Sequence, residues 1–411
     1  MGHFGFLCPP LPGHINPMTV LARALVERGH KVTFLGFPDM AAMLPHDFAF
    51  LPFGAADQPP GSLQPYLDRL ARLGGPLSMR RLILDLARFA DTICRNLPGA
   101  LERLAPDALV IDQTDAAASL VATALGIPFM NVANALPLNL EPGVPPPVLP
   151  WRYDPTPRGI RRNRGGYRVA RWVERPITRV IRTHAQRLGR PDILFADQAW
   201  SERAQITQCV KGLDFPRTQL PPNFHSVGPI RGPDAPLDFV PPDDGRPLVF
   251  CSLGTLQGSR AHIFRTVAAA AEELDVTLLI AHGGLLPERA AARLPGRPIV
   301  RSYVPQRAVL ARSALAITHA GFNTVMDALS FGVPMVALPI TFEQPATGAR
   351  LERVGAARVL QRWRTRRRLG QAMREVLEEV RYRQSAQRLS EEIARSGGRT
   401  RAADLIEAML A

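Results

Sequence analysis

The stretch LAITHAGFNTVMDALSFGVPMVALPITFEQP, residues 315–345, contains the pattern that decides the fold. It reads as the strand LAIT, a turn, a helix over 322–331 and a second strand over 333–338. A strand–helix–strand unit of this kind requires a parallel sheet. Gly321 lets a ligand approach the backbone closely, and the helix after it begins with unpaired N–H groups. The stretch therefore predicts an α/β fold with an anion site, suited to a pyrophosphate, at a strand end.

Polar side chains in and after this turn extend the predicted site. His319 adds a hydrogen-bond donor, and Asn323 and Thr324 add side-chain hydrogen bonds. Asp327 lies one helical turn further on, where a carboxylate could accept hydrogen bonds from both hydroxyls of a ribose. The adjacent acid and amide Glu343-Gln344 follow the next strand and suit a ligand rich in hydroxyl groups.

The same alternation of strands and helices extends through both halves of the chain. In the N-terminal half we predict strands at 3–8, 31–36, 48–53, 107–112 and 127–132. The helices predicted between them are 15–28, 79–104, interrupted at Pro98, and 114–125. In the C-terminal half we predict strands at 247–252, 276–281, 298–303, 314–318 and 333–338. The helices predicted there are 261–274, 306–312, 322–331, 344–354 and 371–380.

Composition places a boundary between the halves. The segment 231–247 is rich in Pro, Asp and Gly and has the composition of a linker. We therefore predict two doubly wound domains, 1–230 and 248–385, that face each other across a cleft. The remaining residues, 386–411, are predicted to be helices that pack back on the N-terminal domain. Ligands of such sheets bind at the carboxyl ends of the strands.

Overall composition restricts the class of protein. Of 411 residues, 46% are hydrophobic and 21% charged, as in soluble globular proteins. No window approaches the ~18 apolar residues of a membrane-spanning helix. We read no signal peptide at the N-terminus and expect a cytoplasmic chain. The four cysteines lack the spacing of a metal or redox site.

The net charge of +14 is concentrated in an arginine-rich segment between Arg152 and Arg190. Four aromatic residues lie in or beside this segment: Trp151, Tyr153, Tyr167 and Trp172. A solvated helix face is one interpretation, and contact with an anionic membrane, on the inner face of the cytoplasmic membrane, is the other. No recognised nucleic-acid-binding module is present, so we expect no nucleic-acid partner.

Taken together, residues 303–344 resemble the donor-binding signature of the family 1 UDP-dependent glycosyltransferases. That signature has an aromatic residue before Pro-Gln, then His-x-Gly-x-Asn-Ser/Thr, an acid four residues after the Asn, and finally a Pro before an Asp/Glu-Gln pair. The matching residues here are Tyr303, Val304, Pro305, Gln306, His319, Gly321, Asn323, Thr324, Asp327, Pro339, Glu343 and Gln344. Tyr303 replaces the usual Trp, and Asp327 replaces the more frequent Glu. The resemblance implies the GT-B fold, in which two Rossmann-like domains face each other across a cleft.

The resemblance also implies roles for these residues. Tyr303 would stack on the uracil, and the backbone around Tyr303 and Val304 with the Gln306 side chain would contact the uracil or ribose. His319, Asn323 and Thr324, at the turn formed by Gly321, would hold the pyrophosphate, and Glu343 and Gln344 would read the sugar hydroxyls. Upstream, Ser252 and Thr255 lie in a small-residue turn that would also contact the phosphates.

The N-terminal half provides a candidate base for glycosyl transfer to an alcohol. His14 follows Gly13 after the first strand, and an imidazole titrates near neutral pH. Its other nitrogen needs an orienting carboxylate, for which Asp112, at the end of a later strand, and Asp115 compete. The family pattern has a Gly-His pair as its base and an Asp at the end of this later strand. The chain has no Gly-x-Gly-x-x-Gly and no Asp-x-Asp, so neither a nicotinamide cofactor nor a metal is expected.

The N-terminal half, which would bind the acceptor, resembles the branch of this family that glucosylates hydroxylated carotenoids such as zeaxanthin. The runs that carry this resemblance are DALVID with AAASLVATALGIPF, NALPLNLEPGVPPPVLPW and LDFPRTQLPPNFHSVGPIR. The resemblance implies a UDP-sugar donor, UDP-glucose or a similar one, and a long hydrophobic alcohol as acceptor. Two alternatives remain at this point: a glycosyltransferase for macrolides, other polyketides or other natural products, and a non-catalytic GT-B-like protein that activates a partner transferase.

Overall fold

A computed structural model describes residues 1–233, 239–361 and 365–410. Part of the predicted linker, residues 234–238, lies outside the described residues. The chain forms two parallel sheets with helices on both faces, one in each half.

The first half contains seven strands and six α-helices within the described residues. Its strands are β1 (His3–Leu7), β2 (Lys31–Gly36), β3 (Ala49–Pro52), β4 (Ala108–Asp112), β5 (Phe129–Ala133), β6 (Ala204–Thr207) and β7 (Phe224–Ser226). Its helices are α1 (Pro12–Glu27), α2 (Leu63–Ala71), α3 (Gly75–Leu104), α4 (Ala116–Ala124), α5 (Pro157–Val173) and α6 (Arg175–Arg187). Short 3-10 helices span Pro38–Met43 and Ala196–Ala199.

The second half continues the alternation of strands and helices. Its strands are β8 (Leu248–Ser252), β9 (Thr277–Ala281), β10 (Ile299–Arg301), β11 (Leu315–Thr318), β12 (Met335–Ala337) and β13 (Ala357–Val359). Its first helices are α7 (Gly254–Gln257), α8 (Ala261–Ala271), α9 (Glu288–Ala291), α10 (Gln306–Leu310), α11 (Phe322–Ser330) and α12 (Gln344–Val354). The chain ends with α13 (Arg366–Glu378), α14 (Val380–Arg395) and α15 (Gly398–Glu407).

Both sheets have the doubly wound strand order. The first runs β3-β2-β1-β4-β5-β6-β7 and the second β10-β9-β8-β11-β12-β13, with parallel pairing throughout. In each sheet the order reverses beside the central strand, between β1 and β4 and between β8 and β11. The fold class predicted from the sequence is confirmed.

The interruption predicted at Pro98 is wrong, because α3 continues through it from Gly75 to Leu104. A proline inside a helix removes one backbone hydrogen bond and crowds the preceding turn. Here the helix is held by tertiary packing, since α3 lies against both α4 and α6. Ile93, Leu97 and Leu101, on either side of Pro98, are buried in one apolar cluster.

The two halves contact each other at several points. The C-terminal helix α15 packs against α1, and Glu407 bonds Arg28 at 2.6 Å and His30 at 2.8 Å. Elsewhere, the Nε of Arg350 on α12 donates to Asp214 at 2.7 Å. Arg350 is fully buried, so this ion pair is shielded from water.

Candidate active site

Several of the residues singled out in the sequence lie at the two points where the strand order reverses. His14 is in the first turn of α1, directly after β1, and Asp112 is the last residue of β4. Ser252 ends β8, and His319 follows β11. Crevices at such points are where doubly wound sheets bind ligands.

His14 and Asp112 form a hydrogen-bonded pair. His14 Nδ1 lies 2.7 Å from Asp112 Oδ2. The carboxylate is buried, and it also accepts hydrogen bonds from Thr114 Oγ1 at 2.6 Å and from Asn134 Nδ2 at 2.7 Å. An ionised carboxylate can only accept, so Nδ1 carries the hydrogen and Nε2 keeps its lone pair.

The environment adjusts the titration of this pair. Burial by itself would lower the pKa of His14, but the charge and hydrogen bond of Asp112, helped by Glu343 and Asp115, raise this pKa above its usual value. For Asp112, burial would raise the pKa. The charge and hydrogen bond of His14, with the hydrogen bonds of Thr114 and Asn134, lower it instead. Asp112 therefore stays ionised at neutral pH.

The rival carboxylate, Asp115, is placed differently. It is the N-cap residue of α4, but its side chain makes no capping hydrogen bond to the described residues of that helix. Burial and the nearby charge of Asp112 raise the pKa of Asp115 to about 7. The structure thus pairs His14 with Asp112 and leaves Asp115 as a neighbour.

The turn after β11 is shaped around the His319 side chain. Ala320 has a left-handed backbone with φ +64°. A Cβ on Gly321 would lie 2.3 Å from His319 Nε2, and one on Gly254 would lie 2.8 Å from its Cε1, so a side chain at either position would force the His319 ring to move. Burial lowers the pKa of His319 to about 4. The imidazole is therefore neutral near pH 7 and can contribute a hydrogen bond to a phosphate without carrying charge.

Arg231 reaches into the second half and binds the predicted donor residues. Its Nε donates to Asp327 Oδ1 at 2.5 Å, and its NH2 donates to Asn323 Oδ1 at 3.1 Å. Gln306 Nε2 donates to the other oxygen of Asp327 at 2.8 Å. Each carboxylate oxygen has a further lone pair, so Asp327 can still accept hydrogen bonds from ribose hydroxyls.

Asn323 also joins the two halves. Its Nδ2 donates to the backbone oxygen of Gly13 at 2.7 Å. Gly13 directly precedes His14, so the turn predicted to hold the pyrophosphate lies against the turn that carries the candidate base.

The pair Glu343-Gln344 begins α12. Gln344 Oε1 accepts hydrogen bonds from the backbone N–H groups of Ile340 and Thr341, both at 2.9 Å, which leaves the amide NH2 as its available donor. Burial raises the pKa of Glu343. Phe342, just before this pair, has a left-handed backbone with φ +54°, and its ring packs on an apolar cluster of the first half.

The remaining predicted donor residues line the same cleft edge. Tyr303 is 70% exposed, and its hydroxyl donates to the Gly283 carbonyl at 3.0 Å. Val304, which follows it, is partly buried. Ser252 Oγ accepts a hydrogen bond from the Gly254 N–H at 3.2 Å. Thr255 is exposed and Thr324 is buried. Across residues 1–233, 239–361 and 365–410, no group of three or more His, Cys, Asp or Glu residues could hold a metal ion.

Sequence reasoning missed three residues of this site. Thr114 could have been found, because an Asp followed two residues later by Thr commonly forms such a hydrogen bond. Asn134 and Arg231 gave no signal, since each reaches its partner only through the tertiary fold. Composition placed Arg231 in the linker, yet its side chain is bonded to both halves.

The chain is similar to a known protein family and to named relatives. A family model described as "UDP-glucoronosyl and UDP-glucosyl transferase" matches residues 168–394. Zeaxanthin glucosyltransferase of Pantoea ananas is 38% identical over 100% of this chain and 96% of its own length. The enzyme of the same name from Pseudescherichia vulneris is 38% identical over 100% of this chain and 98% of its own length.

Solved structures share the architecture. The glycosyltransferase of kitacinnamycin has a TM-score of 0.78 at 24% identity and covers 100% of this chain and 99% of its own. The calicheamicin glycosyltransferase CalG4 has a TM-score of 0.76 at 22% identity, with 100% and 98% covered. At this identity the likeness concerns the fold alone, and it confirms the GT-B class.

Proposed function

We propose that this protein moves a hexose, glucose in our proposal, from a UDP-sugar to a hydroxyl of a hydrophobic acceptor with inversion. The premise is that the chain belongs to the UDP-glucoronosyl and UDP-glucosyl transferase family and is a glycosyltransferase. The observation that carries this proposal is the 2.7 Å bond between His14 Nδ1 and Asp112 Oδ2, beside the donor-signature turn. In this proposal His14 Nε2 takes the proton of the acceptor hydroxyl. The oxygen then attacks the anomeric carbon, whose bond to the diphosphate oxygen breaks, and UDP leaves with the electron pair.

The neighbouring groups lower the barrier in distinct ways. Asp112 stabilises the imidazolium that forms on His14 and fixes its tautomer. The N-terminus of α11, the neutral His319 and the Asn323 side chain offer hydrogen bonds to the diphosphate as negative charge develops on it. In this proposal Glu343 and Gln344 bind the hydroxyl groups of the donor sugar and hold the anomeric carbon in line with the acceptor oxygen.

We assign the acceptor to the hydroxylated carotenoids, zeaxanthin in particular. The names of the two characterised relatives at 38% identity support this assignment. A groove of about 540 Å³ between α2 and α3 also supports it: Tyr66, Leu70, Leu73 and Leu82 give it an apolar part, and its lining also includes the charged side chains of Asp68, Arg69, Arg72, Arg81 and Asp85. The four apolar residues form one cluster, against which Leu11 and Phe342 pack. Leu11 lies three residues before His14 and Phe342 directly precedes Glu343, so this apolar cluster adjoins the candidate site.

A peripheral contact with an anionic membrane is part of the proposal, because such an acceptor is dissolved in lipid. Exposed arginines lie three or four residues apart within α5 and again within α6, and none of these six forms an ion pair with any described residue: Arg161, Arg164, Arg168, Arg175, Arg179 and Arg182. Val169 and Trp172 are 62% and 64% exposed among them. No helix in the described ranges is long and apolar enough to span a bilayer.

The aromatic part of the sequence interpretation needs correction. Of the four aromatic residues in the arginine-rich segment, Trp172 is the one that is largely exposed. Tyr153 stacks on Phe215, Tyr167 donates to the Val144 carbonyl at 2.8 Å, and Trp151 packs under Arg162. These three rings are held by protein contacts, so the membrane proposal depends on the arginines with Val169 and Trp172.

The test is to incubate the purified protein with zeaxanthin in phosphatidylglycerol-containing vesicles and, in turn, UDP-glucose and other sugar nucleotides, with mass detection of products. We expect a glucoside, formed equally well after EDTA treatment. Complete loss of activity with EDTA, restored by Mg²⁺ or Mn²⁺, would contradict the metal-free mechanism.

Vesicle flotation should weaken as salt increases, because each arginine near the surface adds about 1 kcal/mol of screened attraction. Equal flotation with neutral and anionic vesicles would remove the electrostatic part of the proposal.

A further inference from the structure

A continuous series of buried hydrogen bonds connects the candidate base, His14, to Asp327 in the C-terminal half. From Asp112 Oδ2 it passes to Asn134 Nδ2 at 2.7 Å, and from Asn134 Oδ1 to Gln208 Nε2 at 3.1 Å. Gln208 Oε1 accepts from Arg231 NH1 at 2.7 Å, and Arg231 Nε reaches Asp327 at 2.5 Å. Asp112, Asn134 and Gln208 are at most 2% exposed, so water offers no substitute partner.

The ends of this chain determine its direction. Arginine can only donate hydrogen bonds, and an ionised carboxylate can only accept them. Gln208 must therefore turn its oxygen toward Arg231 and its NH2 toward Asn134. Asn134 must in turn present its oxygen to Gln208 and its NH2 to Asp112. The backbone N–H of Ile230 also donates to Gln208 Oε1, at 3.0 Å, which supports the same orientation.

A second path begins at the same guanidinium. Arg231 NH2 donates to Asn323 Oδ1 at 3.1 Å, and Asn323 Nδ2 donates to the Gly13 carbonyl at 2.7 Å, one residue before His14. Arg231 is thus bonded to Asp327, where we place the ribose, and by two routes to the residues that hold the base. A change in the position of Asp327 is transmitted to Arg231, because their bond is charge-assisted and largely buried.

We infer that Asn134, Gln208 and Arg231 are positioning residues. They couple binding of a nucleoside at Asp327, the proposed nucleoside-binding site, to the orientation of the Asp112–His14 pair. The inference deepens the proposed function and rests on it for the identity of the nucleoside. When the nucleoside-binding site is occupied, Arg231 and the side-chain amides of Asn134 and Gln208 hold Asp112 in the orientation that directs His14 Nε2 at the acceptor. Deprotonation of an acceptor is thereby favoured when donor is bound.

The test uses Gln208→Leu, which removes the central link of this series of hydrogen bonds, and Gln205→Leu as a matched control. Gln205 is also a buried glutamine and lies on β6, but its side chain bonds Asn139 and the Ser201 carbonyl, outside the chain of bonds described here. We expect Gln208→Leu to lower kcat about tenfold while the KM for the UDP-sugar changes less than about twofold. Gln205→Leu should change kcat less than about twofold at a comparable loss of thermal stability.

A second readout does not require sugar transfer. The titration of His14 is followed by NMR with and without uridine, a neutral probe that occupies the nucleoside-binding site without adding phosphate charge near the base. Uridine should shift the titration midpoint in the wild-type protein and in Gln205→Leu, and shift it much less in Gln208→Leu. An equal shift in both variants, or no shift in the wild type, would overturn the coupling. If the wild type transfers no hexose and yet shows this pattern, the proposed function fails and the coupling stands.

Discussion

His14 is under two opposing influences, and the balance between them determines when it can act as a base. Burial disfavours its charged form, whereas the carboxylate 2.7 Å away favours it, and the net effect raises the pKa. A base must be neutral to accept a proton, so activity should fall as the pH decreases through this raised pKa. The acid limb of the rate profile should therefore have its midpoint above the usual value of about 6.5 for histidine.

Asp112→Asn should move that acid limb to lower pH, because the negative charge that raises the pKa of His14 is removed. The turnover rate should fall as well, though less than on removal of His14, since the base remains but is poorly oriented and its positive form is less stabilised. The measurement is kcat against pH for the wild type and the variant. Asp115→Asn is the control and should have a milder effect. If it reduces kcat more than Asp112→Asn does, Asp115 is the partner that matters.

His319→Ala should weaken UDP binding by about 1–3 kcal/mol, the cost of removing one buried hydrogen-bond donor. Because burial lowers the pKa of His319 to about 4, the wild-type contribution should not change between pH 6 and pH 8. Calorimetric titration with UDP measures both effects. An affinity unchanged by the substitution would contradict the assignment of this turn to the diphosphate.

At the scale of elements, the sequence predicted the βα alternation well because apolar runs and their flanking glycines are local signals. Helix α3 shows the limit of such signals, since Pro98 indicates a break that the packing of α3 against α4 and α6 overrides. The candidate site divides in the same way. The position of the turn 319–324, at the junction of β11 and α11, could be predicted because its candidate ligand-binding groups are adjacent in the sequence. The contacts of Arg231 could not be predicted, because Asp327 and Asn323 lie 96 and 92 positions away in the sequence and meet it only in the folded chain.

Helix α12 is fixed to the first half by a buried ion pair, which leads to a stability prediction. Arg350→Leu should lower the free energy of unfolding by about 3 kcal/mol, because it leaves the buried Asp214 without one of its two arginine partners. Arg353→Leu is the matched control: Arg353 lies on the same helix and is exposed, and it contacts the Asp214 carbonyl and the Tyr153 ring. Chemical denaturation of both variants measures the difference. Equal losses would show that the buried pair contributes nothing specific.

At the scale of the molecule, two sheets of the same strand order present their carboxyl ends to one cleft. The two halves carry different candidate groups, since the proposed base lies after β1 and the predicted donor-binding residues follow β11 and β12. The sequence predicted both sets of residues but not the way they join. Contacts such as Asn323 with Gly13, or Arg231 with Gln208 and Asp327, depend on how the halves are oriented, which no local pattern encodes.

The central claim is that His14 is the base for transfer of the hexose. The most direct test is the turnover rate of His14→Ala with UDP-glucose and zeaxanthin, measured beside its affinity for UDP. General-base catalysis contributes about 10²–10⁴-fold, so we expect kcat to fall at least about 100-fold. UDP affinity should hardly change, because the donor residues are untouched. Near-normal turnover by His14→Ala would contradict the account and require another base.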